Sequence, residues 1–110
     1  MITIDDFKRV EIKIGRITSA VRVPETDKLL LLTVDFGEDR CRQVVSGIAE
    51  FFEDPSVLVD VTCPFVTNLE PRTIRGLESE AMILAARSDE GAFSLLEPTG
   101  ADISPGTSLS

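Results

Sequence analysis

Leu29–Val45 reads LLLLTVDFGEDRCRQVV: a nearly unbroken apolar run to Phe36, a polar break at Gly37–Asp39, and a return arm. A short apolar run bounded by turn residues suits a strand with little solvent exposure, and Gly-Glu-Asp folds it back as a hairpin. Alternation along Arg40–Val45 puts Arg40 and Arg42 on one face and Cys41 on the other, so two guanidiniums project from one side of a strand.

Upstream, Pro24–Lys28 (PETDK) is a polar turn, and before it Val10, Ile12 and Ile14 alternate with Glu11 and Lys13. The apolar positions then jump by three to Ile17 and resume parity through Ser19, Val21 and Val23. That jump straddles Gly15 and predicts a bulge or sharp coil there, the device that lets one long strand serve both halves of a barrel wall. Downstream, Ser46 and Gly47 end the third strand, Ile48–Phe52 predicts a short helix, and Asp54 before Pro55 offers a cap for another helical turn. Val57, Val59, Val61, Cys63 and Phe65 alternate as a fourth strand, which Pro64 places at an edge. Asn68–Glu80 (NLEPRTIRGLESE) is a polar loop, and Ala81–Ala86 (AMILAA) is a fifth apolar segment. Ser88–Gly91 makes a turn, Phe93–Leu96 a last short strand, and Pro98–Ser110 a turn-rich tail.

Five principal strands with a short helix between the third and fourth predict an all-β, five-stranded Greek-key barrel of the OB-fold type, although another small β-barrel would share much of the pattern. With 110 residues, no repeat and no linker, one domain over 1–110 is expected. A hydrophobic fraction of 43% against 27% charged residues predicts an ordered chain. No apolar run is long enough to cross a bilayer, and Met1–Val10 carries acids where a signal peptide carries bases, so a cytoplasmic address is expected. Cys41 and Cys63 have no CxxC spacing and read as small buried hydrophobes.

The absence of His and Tyr removes the commonest general base and every Ser/His or Cys/His nucleophile pair. Acid pairs such as Asp35 with Asp39, or Glu78 with Glu80, fall in turns and loops where solvated carboxylates are expected. No phosphate-binding glycine loop, dinucleotide fingerprint or metal-ligand spacing occurs, so no enzyme activity, cofactor or metal is expected. What remains is cationic: Lys28, Arg40, Arg42, Arg72 and Arg75 lie on turns and strands that an OB barrel can bring to one face, and guanidinium forks match phosphate oxygens. The competing arrangement pairs these cations with Glu38, Glu70 or Glu78 as solvated surface charges. A net charge of −8 makes the distribution decisive, because screening limits each charge to about 8–10 Å. Six Phe with no Tyr or Trp mostly suit core positions, which favours structured RNA held by phosphates and shape over single strands held by stacking.

Asp6–Val10 (DFKRV), Gly15, Asp27–Leu30 (DKLL), Val34-Asp35 before Gly37 and Arg42–Ile48 (RQVVSGI) follow one another with a spacing that continues through the second half of the chain. There it runs through Asn68–Arg72 (NLEPR), Arg75-Gly76, Glu78-Ser79, Met82–Ala86 (MILAA) and Pro105-Gly106. In that order the chain resembles the tRNA-binding domain family, found as stand-alone dimers and fused to methionyl-tRNA synthetase. The resemblance implies a barrel that binds the outside of folded tRNA, does no chemistry alone, and assists a methionyl-tRNA synthetase catalytic chain as a separate β-subunit or acts on its own. It also implies a homodimer built from segments near the N-terminus and the tail, a C-terminal dimerisation extension. Matching positions suggest Lys28, Arg42, Ser46, Asn68, Arg72, Arg75, Ser79 and Met82 as the RNA-binding face, with core packing for Met82 and strand-end capping for Ser46 as equal alternatives. Ala81 stands where the family often has Gly, and Glu70 and Thr73 where it often has a base, which implies weaker affinity. A chaperone-like or protein-interaction dimer on the same barrel is the alternative, better suited to the acidic charge, and the NLEPR stretch favours tRNA over it.

Overall fold

The computed structural model describes residues 1–110. A five-residue helix, α1 (Ile4–Lys8), opens the chain, capped by Thr3, which accepts from the Asp6 amide while the Asp6 carboxylate accepts from the Thr3 amide. The long strand β1 (Ile12–Arg22) follows, then β2 (Leu30–Asp35), β3 (Arg42–Ser46), two single 3-10 turns at Ala49–Phe51 and Pro55–Leu58, and β4 (Thr62–Val66). Six short pieces finish the order: the hairpin β5 (Arg72–Ile74) and β6 (Leu77–Ser79), then β7 (Met82–Ile83), β8 (Ala85–Arg87), β9 (Phe93–Leu95) and the tail.

One antiparallel sheet runs β3-β2-β1-β4-β7 and curls into a nearly closed five-stranded barrel. β1 can serve both halves because its first part, Ile12–Arg16, pairs with β4 and its second part, Arg16–Arg22, pairs with β2. The register shifts between Ile17 and Ser19, not at Gly15 as the sequence predicts. Gly15 is needed instead for its volume: a Cβ there would lie 2.6 Å from both a Phe36 ring carbon and a Val34 methyl. The apolar phase jump has a different origin. Ile14 is buried on the outer side of β1 under Leu96, Ile103 and Leu109 of the tail, while Gly15 and Ile17 face the interior. After the shift it is Ala20 that turns inward, and Ser19 and Val21 are exposed, which corrects the expected parity.

Leu30, Leu32 and Val34 fill the interior from β2, none of Leu29–Phe36 is fully exposed, and the core continues through Phe36, Val44, Ile48, Leu58, Cys63, Phe65 and Ile83. The Phe36 and Phe65 rings meet edge to face at 5.2 Å, a geometry that adds about 0.5–1.5 kcal/mol beyond area burial. The predicted helix at Ile48–Phe52 is one 3-10 turn, and Asp54 caps the second by accepting from the Ser56 amide. Val57 lies in that second turn and Val59 caps its end; both are exposed, and the fourth strand starts only at Thr62. β4 is not an edge strand, since β1 and β7 flank it. The Leu84 amide donates to the Pro64 carbonyl in register with the β4–β7 ladder, and the reciprocal bond is the one that Pro64, lacking an N–H, cannot make, so the ladder stops there.

Between β3 and the chain before β7 the barrel is closed partly by side chains. The Glu80 amide donates to the Gln43 carbonyl, the Gln43 amide to Glu80 Oε1, the Val45 amide to Ser79 Oγ, and Gln43 Nε2 to the Glu78 carbonyl. The tail returns to β1 as an irregular added strand: Ile14 N–H donates to Thr107, Gly106 N–H to Ile14 and Leu109 N–H to Ile12. Its docking depends on Gly106 (φ +92), where a Cβ would sit 2.4 Å from the Phe36 carbonyl oxygen.

Candidate nucleic-acid interface

Hydrogen bonding fixes where the cations stand. Glu80 lies level with Gln43 and Ser79 with Val45, so the β5–β6 hairpin runs along β3 and its tip, Arg75-Gly76, extends past Ser46. Ser46 pairs with Leu30, and Lys28 lies just beyond that same end, its carbonyl accepting from the Ala49 amide. Lys28 and Arg75 therefore lie towards one end of the β2–β3 wall, while Arg72, paired with Ser79, stands three residues back at the root of the hairpin. All three are exposed, and none has a carboxylate within 4.0 Å. The polar loop expected at Asn68–Glu80 is thus a hairpin, turned by Arg75 (φ 54) and Gly76 (φ 79). Two successive positive φ values match the twist of the flanking strands.

The opposite end of β3 is different. Arg42 is half-buried and donates from Nε and Nη2 to Glu38 at 2.9 and 2.8 Å, and from Nη1 to the Thr67 carbonyl at 2.7 Å. Its guanidinium also stands 5.3 Å from the centre of the Phe36 ring. Arg40 donates from Nη1 and Nη2 to the two carboxylate oxygens of Glu80. Arg40 precedes β3 rather than lying on it, yet both arginines line one groove of about 440 Å³ with Glu38, Asp39, Thr67, Leu69, Pro71 and Glu80. The Arg42 guanidinium holds Glu38 below the usual carboxylate range; the Arg40 guanidinium, with the Gln43 amide, does the same for Glu80. Hydrogen bonds to these carboxylates raise both arginines. Glu80, expected to be a solvated loop acid, is partly shielded and held by the fold. Cys41, expected to be buried, is exposed because the strand starts after it, whereas Cys63 is buried.

Four further residues of the predicted face divide. Ser79 is 4% exposed, its hydroxyl accepting from the Val45 amide and donating to the Ala81 carbonyl. Ser46 is buried at the end of β3. Asn68 clips the segment before β1, accepting from the Glu11 amide and donating to the Arg9 carbonyl. Met82 is 40% exposed on β7. The structure thus leaves Lys28, Ser46, Arg72, Arg75 and Met82 as side chains of that set with no hydrogen-bond partner in the protein, Ser46 alone of these being buried. The role of Ser79 and Glu80 in closing the barrel was missed from the sequence, and only the polar-apolar switch at Glu80-Ala81 hinted at it.

Residues 12–108 match the family described as a putative tRNA binding domain. The chain is 46% identical over 109 residues to a methionine–tRNA ligase of Methanosphaerula palustris and 42% identical over 104 residues to that of Enterococcus faecalis, covering 99% and 90% of this chain. It spans about one sixth of the length of those relatives, 16% in both cases. Among solved structures, a MetRS-related protein from Pyrococcus horikoshii superposes with a TM-score of 0.91 at 30% identity, covering 100% of this chain and 98% of that one. The chaperone CsaA from Bacillus anthracis superposes at 0.86 with 28% identity, covering 100% and 99%. With a matching family over nearly its whole length and the same barrel in its relatives, the chain belongs to the tRNA-binding domain family.

Proposed function

We propose that this domain binds folded tRNA through backbone and shape contacts at the Lys28–Arg72–Arg75 end of the barrel, with Met82 as an apolar contact beside them. The carrying observation is that these three exposed cations, on the hairpin and beyond the Ser46 end of β3, lack carboxylate partners in a chain whose net charge is −8. Arg75 supports this reading a second way. It holds a left-handed backbone position where Asn or Gly would be less strained, and strain of that kind is often kept for a side chain with work to do. The domain performs no chemistry itself and raises the tRNA affinity of a synthetase acting in the cytoplasm, a methionine–tRNA ligase being favoured by the relatives. Filter binding of total tRNA across a salt series tests it. With about three phosphates engaged, the log–log slope is about −2 to −3, and Lys28→Gln/Arg72→Gln/Arg75→Gln should abolish it. Undiminished binding by that triple variant would reject the interface.

The domain acts as a homodimer. Supporting this are the exposed apolar side chains Met1, Ile2, Ile4, Phe7 and Val10 near the N-terminus, and Ile103 and Leu109 in the tail. Light scattering should give twice the 12.0 kDa chain mass at micromolar concentration. The second reading, a chaperone-like dimer that holds unfolded polypeptide, is favoured by the two CsaA chaperones among the structural neighbours and by the acidic charge. Unfolded polypeptide as the rival ligand in the same assay separates the two.

A further inference from the structure

We infer that Glu38 and Glu80 set the limit of the tRNA footprint, closing the groove at the root of the β5–β6 hairpin to phosphate by occupying the forks of Arg42 and Arg40. The inference rests on the tRNA reading and adds a boundary to it. Arg42 has five N–H donors. Glu38 takes two, and the Thr67 and Glu80 carbonyls take the pair on Nη1 at 2.7 and 3.3 Å, which leaves one. A phosphate can engage that fork in bidentate fashion only by displacing Glu38. Arg40 is in the same position with both oxygens of Glu80, and its Nη1 also donates to the Cys41 carbonyl. Counting Asp39, the residues lining the groove carry three carboxylates and two guanidiniums, a formal charge of −1. Pro71 lines this groove and Arg72 follows it in the chain, so the change from self-neutralised to unpaired cations falls between adjacent residues. The five cations that the sequence offers as one face are two electrostatic territories, and only one of them attracts a polyanion.

The test is the salt dependence of tRNA binding by Glu38→Gln/Glu80→Gln. Glutamine keeps an acceptor oxygen for Arg42, Arg40 and the Gln43 amide while removing both charges. With the arginines unmasked, two further phosphates are engaged and the slope steepens by about 1.4–1.8. A control pair at exposed sites that do not line the groove, Glu90→Gln/Asp102→Asn, makes the same change in net charge and should leave the slope unchanged. Arg40→Gln in the wild-type background should leave the slope unchanged, because no phosphate contact is lost, with at most a small drop in affinity from the unmasked Glu80. An unaltered slope in the folded double variant would overturn the inference, as would equal steepening in the control. So would a loss of about 0.7–0.9 in slope for Arg40→Gln, which reports a phosphate contact already present. If the double variant does not fold, the Arg40→Gln result decides. Failure of the tRNA reading itself looks different: the wild-type protein would bind no tRNA, or the Lys28, Arg72 and Arg75 substitutions would have no effect.

Discussion

Replacing Ser79 by Ala separates a structural role from an RNA-contact role at a residue whose family position suggests RNA binding. Ser79 Oγ accepts the Val45 amide at 3.0 Å and donates to the Ala81 carbonyl at 3.1 Å inside the seam that closes the barrel. Removing the hydroxyl leaves the Val45 N–H without an acceptor at a site where both residues are buried, which costs about 1–3 kcal/mol. At about 2.1 cal/mol/K per residue, the unfolding entropy of 110 residues is about 230 cal/mol/K, so Tm should fall by about 4–13 °C. Differential scanning calorimetry reads this directly, with Thr73→Ala on the exposed strand of the same hairpin as a control expected within about 0.5 kcal/mol of wild type. At 20 °C, where the variant is still folded, tRNA affinity should be unchanged. A variant that melts with the wild type yet loses tRNA binding would refute the assignment of this hydroxyl to the seam.

Gly15→Ala should destabilise by about 1–3 kcal/mol, because the new methyl meets the buried Phe36 ring and a Val34 methyl; urea unfolding with an unchanged m-value checks it. Cys41 should titrate rapidly with a thiol reagent in the native protein, and Cys63 only after unfolding, since burial pushes its thiol up to about 12; two fast equivalents would contradict that assignment. Glu38 and Glu80 have lowered folded-state values, so the unfolded chain takes up protons first as pH falls. Their stabilisation is present in full above the ordinary glutamate value of about 4.3 and is lost as pH drops through the folded values. Thermal scans should therefore show Tm declining below about pH 4.5, with a flatter acid limb in Glu38→Gln/Glu80→Gln.

The strands that alternate or run apolar against one wall were legible: the β2–β3 hairpin, the end of β4 and the order of the first four barrel strands follow from hydrophobic phase and turn residues, whereas α1 and the split of Ala81–Ala86 into β7 and β8 do not. Two features misled. At Ile14 the phase reports burial under the tail rather than in the barrel, and periodicity cannot say which element covers a face. At Val57 and Val59 alternation reflects an exposed 3-10 turn and the residue that caps it, because a few alternating valines fit either geometry. The β5–β6 hairpin stayed hidden because Arg75-Gly76 is not among the dipeptides that announce such a turn. For the interface, residue type located the cations but not their partners. Glu38 is four residues from Arg42, a spacing within reach, whereas Glu80 comes to Arg40 only through the closure of the barrel, forty residues along the chain.

The tail that crosses back over β1 brings Leu109 and Ser110 into a shared depression with Ile4, Phe7, Lys8 and Val10. The helix α1 and the last two residues are thus neighbours in space, and a short glycine linker would join the two ends. New ends could then be opened in the exposed turn at Ser88–Gly91, giving a circular permutant with every strand pairing intact and its fusion point moved to that turn.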